Sequence, residues 1–138
     1  MSCAFEPSLF GVPVKYSSVT EPIFASDGAV INSKDELAKL KISDFFKSGL
    51  MPLAHKFYDD LESLVPKDYS VIFPKWARGP LGVACALRGM ENILIDMLSD
   101  PPFVHKLMRF ITDARKEYTR SRRKFLNRNE AEGSLHLD

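Results

Sequence analysis

The stretch Pro74-Lys75-Trp76-Ala77-Arg78-Gly79-Pro80 gathers two cations, the only tryptophan of the chain and a Gly-Pro pair. Arg78 offers a planar fork that matches a carboxylate, and Lys75 a compact point charge. Gly79-Pro80-Leu81-Gly82 opens a helix, where free N–H groups can hold an anion. The glycine spacing is not a phosphate-loop pattern, so solvated loop charges and a plain Gly-Pro turn are the ordinary alternatives. His55 and His105 carry imidazoles that titrate near neutrality. Neither has a carboxylate partner at a telling spacing, which favours helix packing or a surface position. His136 lies in the tail and receives no role. Cys3, His55, Cys85, His105 and His136 are scattered along the chain without zinc-like spacing, so no metal site is expected.

These side chains need elements to position them. Val12, Val14 and Tyr16 alternate with Pro13 and Lys15, the period of an edge strand. Ile23-Phe24-Ala25 and Ala29-Val30-Ile31 flank Ser26-Asp27-Gly28, which predicts a hairpin turned at Asp-Gly. Ser33 and Glu36 have capping-box spacing, so a short helix should start there, with Leu37 and Leu40 as its buried edge. Ile42 to Leu50 reads as loop. Pro52 suits the first turn of the next helix, and Leu53, Phe57, Leu61 and Leu64 predict its buried stripe. Pro66 ends it. Tyr69 to Phe73 reads as a strand covered on both faces, as in a parallel sheet.

Apolar helical sequence then runs to Leu87, Gly89 breaks it, and Ile93, Leu94, Met97 and Leu98 mark a second short helix before Pro101-Pro102. The last helix spans about Pro102 to Leu126. Val104, Leu107, Ile111, Ala114, Tyr118, Ser121 and Phe125 form its seam, which predicts an amphipathic helix laid on a sheet. Helix, strand, loop and helix in this order indicate α/β architecture. One buried strand with a hairpin beside it cannot cover so many helices, so part of the sheet is expected to lie outside this chain.

Composition narrows the function classes. The 138 residues suggest one domain or a piece of one; 45% are hydrophobic and 27% charged, as in ordinary globular proteins. The net charge of +1 provides no global field for nucleic acid or anionic lipid. From Val104 to Arg128, nine Lys or Arg face only Asp113 and Glu117, a local +7 that leaves −6 for the remainder. The basic groups surround an apolar stripe, which reads as a solvated helix face rather than a nucleic-acid or membrane surface. No apolar run approaches a bilayer span, and residues 1–6 lack a signal-peptide pattern. With two cysteines expected as free thiols, Cys3 in a frayed terminus and Cys85 in a helix, the expected compartment is the cytoplasm.

One block carries a family resemblance. Arg78-Gly79-Pro80-Leu81-Gly82-Val83-Ala84-Cys85-Ala86-Leu87-Arg88-Gly89-Met90-Glu91-Asn92 is followed by Leu94-Ile95-Asp96-Met97-Leu98-Ser99-Asp100-Pro101 and, on the long helix, Ile111-Thr112-Asp113. A strand ending in Gly-Pro, a helix ending in Leu-Arg-Gly with Glu-Asn, and a Pro-started helix resemble the uroporphyrinogen decarboxylase superfamily, including its corrinoid-linked methyltransferase branch. Upstream, Gly28-Ala29-Val30 and Lys34-Asp35-Glu36-Leu37-Ala38-Lys39-Leu40 fit the same order, so the resemblance spans most of residues 10–138.

The resemblance implies a (β/α)₈ barrel, which takes about 250 residues. The chain then reads as roughly half of one, a single partial domain over 1–138, with an extended or hairpin region over 1–32 and a helix–strand–helix segment over 33–138. It implies a truncated gene product of a carboxy-lyase acting on tetrapyrrole side chains in porphyrin biosynthesis, without a cofactor. A methyltransferase would instead use zinc and a corrinoid, with ligands outside this chain. The substrate-binding candidates are Lys75, Trp76, Arg78 and Gly79, with Trp76 either a flat wall against a ring substrate or a core residue. Ala86 stands where the decarboxylases present a substrate-reaching tyrosine, and no catalytic residue carries over. The isolated chain is expected to be inactive. A non-catalytic binding or assembly module, dimerising through an exposed sheet, is the alternative of another class.

Overall fold

The computed structural model describes residues 3–126 except Ser26, Ser43 and Lys67. The expectations for His136 and the other tail residues lie outside the described residues. The chain starts with a short helix, α1 (Phe5–Ser8), followed by strands β1 (Val14–Lys15) and β2 (Ile23–Phe24) and a 3-10 helix (Lys34–Lys39). Four α-helices complete it: α2 (Met51–Leu64), α3 (Pro80–Arg88), α4 (Met90–Ser99) and α5 (Pro101–Leu126). It is a helix-rich α/β structure with one small antiparallel sheet, β1 against β2.

The core forms around α5. Phe103, Val104, Leu107, Ile111, Ala114 and Tyr118 are buried along one side of it, as their spacing requires. Helices α3 and α4 pack on that side and on each other. This corrects the expected sheet beneath the long helix. The helical layer follows from α3, whose Val83, Ala84, Ala86 and Leu87 are all buried and give α5 an apolar partner. Gly89 separates α3 from α4 with φ +89°, a conformation that side chains disfavour. No helix among the described residues is long and apolar enough to cross a membrane.

From Cys3 onward the N-terminal segment is not frayed. Ala4 to Phe10 are buried, and α1 packs against α3. Ser8 Oγ accepts the Leu50 N–H at 3.0 Å, tying this segment to the start of α2. Gly49 permits that approach, because a Cβ there would overlap Ser8.

The expected hairpin is rearranged. Gly28 N–H closes the turn onto Ala25 O at 3.0 Å, but β2 pairs backwards with β1, Val14 opposite Phe24. Val30 and Ile31 instead donate to Leu87 O at 3.0 and 2.9 Å, and this uses the amides a returning strand would have needed. The short helix after Ser33 is present as a 3-10 helix, with Glu36 accepting the N–H groups of Asn32 and Ser33 at 2.7 and 3.1 Å. Leu37 and Leu40 pack on the core.

Two further expectations are corrected. Tyr69 to Phe73 is not a strand: among the described residues no neighbour forms a ladder with it, and Tyr69 and Ile72 stand 72% and 71% exposed. Helix α2 is rotated relative to its apolar stripe. Leu53, Phe57, Leu61 and Leu64 are exposed, while Met51 and Ala54 are buried. Tyr58 and His55 take the inward side because their rings pack on Phe73, at 5.2 and 4.9 Å. Met90, Leu94, Ile95 and Leu98 on α4 are also exposed, so much of the apolar surface facing solvent lies on helices.

Candidate functional site

The segment from Phe73 to Pro80 crosses the end of α5 and enters α3, and its backbone is held from several directions. Arg122, buried on α5, donates through Nε and Nη2 to Phe73 O at 3.3 and 3.0 Å. One turn earlier, the Tyr118 hydroxyl donates to Pro74 O at 2.8 Å. Burial pushes that hydroxyl well above the usual phenol range, against the opposing charge of Arg122, so it stays protonated and acts as a donor. From the N-terminus, Glu6 Oε1 accepts the N–H groups of both Ala77 and Arg78, at 2.7 and 3.1 Å. Glu6 is only 4% exposed. A buried carboxylate held by two amides fixes the segment's path, since each of those amides would otherwise lack an acceptor.

The four sequence candidates are neighbours here but differ in what they present. Trp76 is 7% exposed, edge-on to Phe10 and Tyr118 at 6.0 and 5.7 Å, with its Nε1 donating to Arg78 O at 2.9 Å. Lys75 is exposed. Arg78 is half-buried: its guanidinium lies 5.2 Å from the centre of the Phe24 ring, and Nη1 donates to Gly82 O at 3.1 Å. Gly79 is exposed as the N-cap of α3, followed by Pro80 in the first turn.

Beside Arg78 is a cavity of 410 Å³, lined among others by Phe24, Leu81, Cys85, Met90 and Leu94. Cys85 Sγ contacts Met90 Sδ at 3.5 Å. Burial pushes the Cys85 thiol up, partly offset by the charge of Arg78, which leaves it a neutral and weakly nucleophilic wall. The cavity therefore combines an apolar lining with one cationic fork, an arrangement suited to a largely apolar molecule bearing a carboxylate. Ala86 also lines the cavity, and its methyl side chain contributes no polar group there. Among the described residues no group of three or more His, Cys, Asp or Glu is placed to hold a metal ion.

Sequence reasoning missed Glu6 and Arg122. Glu6 acts on amides 71 residues away, and nothing in its local sequence signals that partner. Arg122 belongs to the basic run read as solvated, yet it is 6% exposed. Its place one turn after Tyr118, on the seam side, is the signal that could have distinguished it.

No curated protein and no solved structure matches the chain. A family model described as uroporphyrinogen decarboxylase (URO-D) matches residues 1–124. The match takes in the whole Phe73–Pro80 segment and every side chain that fastens it, Glu6, Tyr118 and Arg122 included, and it extends further towards the N-terminus than the resemblance read from the motifs. By that match, the chain belongs to the uroporphyrinogen decarboxylase family.

Proposed function

We propose that this chain forms part of a decarboxylase-type (β/α)₈ barrel and lends the Phe73–Pro80 segment to a cleft for a tetrapyrrole with carboxylate side chains. In this reading Lys75 and Arg78 draw and orient the carboxylates and the Gly79 end of α3 adds N–H donors, while Trp76, buried in the core, supports the segment from beneath. The observation that carries the reading is the family match over residues 1–124, which contains the segment and all its fastenings. The fastened backbone supports it, since a cation held on a fixed loop loses less freedom on binding than one on a mobile loop.

The chain's own residues suffice for binding rather than turnover. Barrel enzymes draw reacting groups from several strand ends, whereas the described residues form only the β1–β2 pair and no strand leads into the Phe73–Pro80 segment. Titration with uroporphyrin, the oxidised and coloured form of the porphyrinogen, tests this, with Trp76 as the sole tryptophan reporter. Binding is expected to weaken about tenfold in Arg78→Gln and further on adding Lys75→Ala, as for loss of hydrogen bonds to a charged group. A porphyrin without carboxylates should not bind. Equal binding of that porphyrin, or unchanged binding in the double variant, would sink the reading. Uroporphyrinogen incubated with the chain should remain unconverted; turnover abolished by Arg78→Gln would instead place a complete active site here.

A further inference from the structure

Between the 3-10 helix and the start of α5 lies a cavity of 440 Å³ whose lining carries charges of both signs. Two of its four charged side chains are already engaged. Lys34 Nζ lies 3.0 Å from Asp96 and 2.9 Å from Asp100. The other Asp100 oxygen accepts the Phe103 N–H at 3.2 Å. Asp35, on the 3-10 helix, and Lys106, on α5, are left over. Both line the cavity and are exposed, and neither forms an ion pair or a side-chain hydrogen bond among the described residues. Lys106 acts on Asp100 only as a nearby charge. The surface beside them is apolar and accessible: Ala38 is exposed, and Leu37 and Phe110 are half-buried.

We propose that this cavity binds a free amino acid with a large apolar side chain. The ammonium pairs with Asp35, the carboxylate pairs with Lys106, and the side chain lies on Leu37, Ala38 and Phe110. Charge complementarity selects the zwitterion. A simple carboxylate gains Lys106 but meets the unpaired charge of Asp35, and a simple amine gains Asp35 but meets Lys106. A molecule with both signs satisfies each element of the cavity with one of its ends. The volume lies within the range of about 300–1,000 Å³ usual for small-molecule sites.

Titration of the ¹⁵N-labelled full chain with L-phenylalanine, followed through its amide NMR shifts, tests the proposal. Saturable shifts are expected at Leu37, Ala38, Lys106 and Phe110. Glycine, which lacks the apolar side chain, should bind at least about tenfold more weakly. N-acetylphenylalanine and phenylalaninamide each lack one charge and should bind severalfold more weakly. Asp35→Asn should weaken phenylalanine binding severalfold without weakening that of N-acetylphenylalanine, which has no ammonium to lose. Lys106→Gln should likewise weaken phenylalanine but not phenylalaninamide. Arg78→Gln should leave phenylalanine binding unchanged, which separates this cavity from the porphyrin-binding segment. Both cavity substitutions are at exposed positions, and thermal melting checks that each variant folds; should one fail to, the capped ligands decide the matter on the parent chain. No saturable shifts, shifts confined to other residues, equal binding of glycine or of the capped ligands, unchanged binding in the Asp35 and Lys106 variants, or loss in Arg78→Gln would each overturn the proposal.

Discussion

At the residue scale, Glu6 does more than its sequence context suggests. Its carboxylate holds the Ala77 and Arg78 amides, and through them the approach of Arg78 to the Phe24 ring. Glu6→Ala leaves two amides without their acceptor and should lower stability by about 2–4 kcal/mol, read from the urea midpoint. Glu6→Gln keeps one acceptor oxygen in place and should cost less than half as much. Equal losses in the two variants would mean that the charge, rather than the hydrogen bonding, holds the segment. Arg122 and Tyr118 secure the other end of the same segment through carbonyl oxygens, so donors and acceptors are divided between two distant parts of the chain.

At the element scale, α2 shows why an apolar stripe does not by itself define a buried face. Leu53, Phe57, Leu61 and Leu64 have helical spacing, but the core approaches α2 from the side of Met51, Ala54, His55 and Tyr58. Phe73 and Phe125 present aromatic surface there, and the helix turns its own rings towards them. Phe57→Gln and Leu64→Gln, at side chains 58% and 78% exposed, should each change stability by no more than about 0.5 kcal/mol. Phe103→Ala, in the core, should cost about 3–5 kcal/mol by the same denaturation measurement. A loss above about 2 kcal/mol at Phe57 would show that its face of α2 is covered in solution.

At the scale of the whole molecule, one buried ionic cluster joins the crossover before the 3-10 helix to α3 and α4. Arg88 Nε donates to Asp96 Oδ2 at 3.0 Å, and its Nη1 donates to Ile31 O and Asn32 O at 3.1 and 2.7 Å. Lys34 bridges Asp96 and Asp100 at 3.0 and 2.9 Å. Burial alone would raise the Asp96 carboxyl, but the hydrogen bonds from Arg88 and Lys34 together outweigh it and hold the group below its ordinary value of 3.8. A carboxyl lowered by folding stabilises the native state above its unfolded pKa, and the contribution is lost as pH falls through the folded value. The urea midpoint should therefore drop as pH falls below about 4. Asp96→Asn should flatten that part of the profile and lower stability at pH 7 by about 3–5 kcal/mol, since Arg88 is left buried without its counter-charge. A variant with the same acid slope as the parent would show that the cluster does not drive the loss.

The sequence by itself determined the elements whose signals are local. Gly79-Pro80 opens α3, Gly89 divides it from α4, and the Pro101-Pro102 pair separates α4 from α5, because these residues restrict backbone angles within a turn of themselves. The Ser33–Glu36 spacing and the seam from Val104 to Tyr118 were legible for the same reason. The family was legible too, in the block from Arg78 to Asn92. Of the candidate site, Lys75, Trp76, Arg78 and Gly79 could be named, but not how they are held. Only the tertiary structure decided that Tyr69–Phe73 forms no ladder among the described residues, that α2 turns its stripe outward, and that Glu6 and Arg122 are buried against the Phe73–Pro80 segment. Backbone propensity acts over about four residues. Strand pairing and the covering of a helix face depend instead on which distant surface arrives, and no local pattern carries that information.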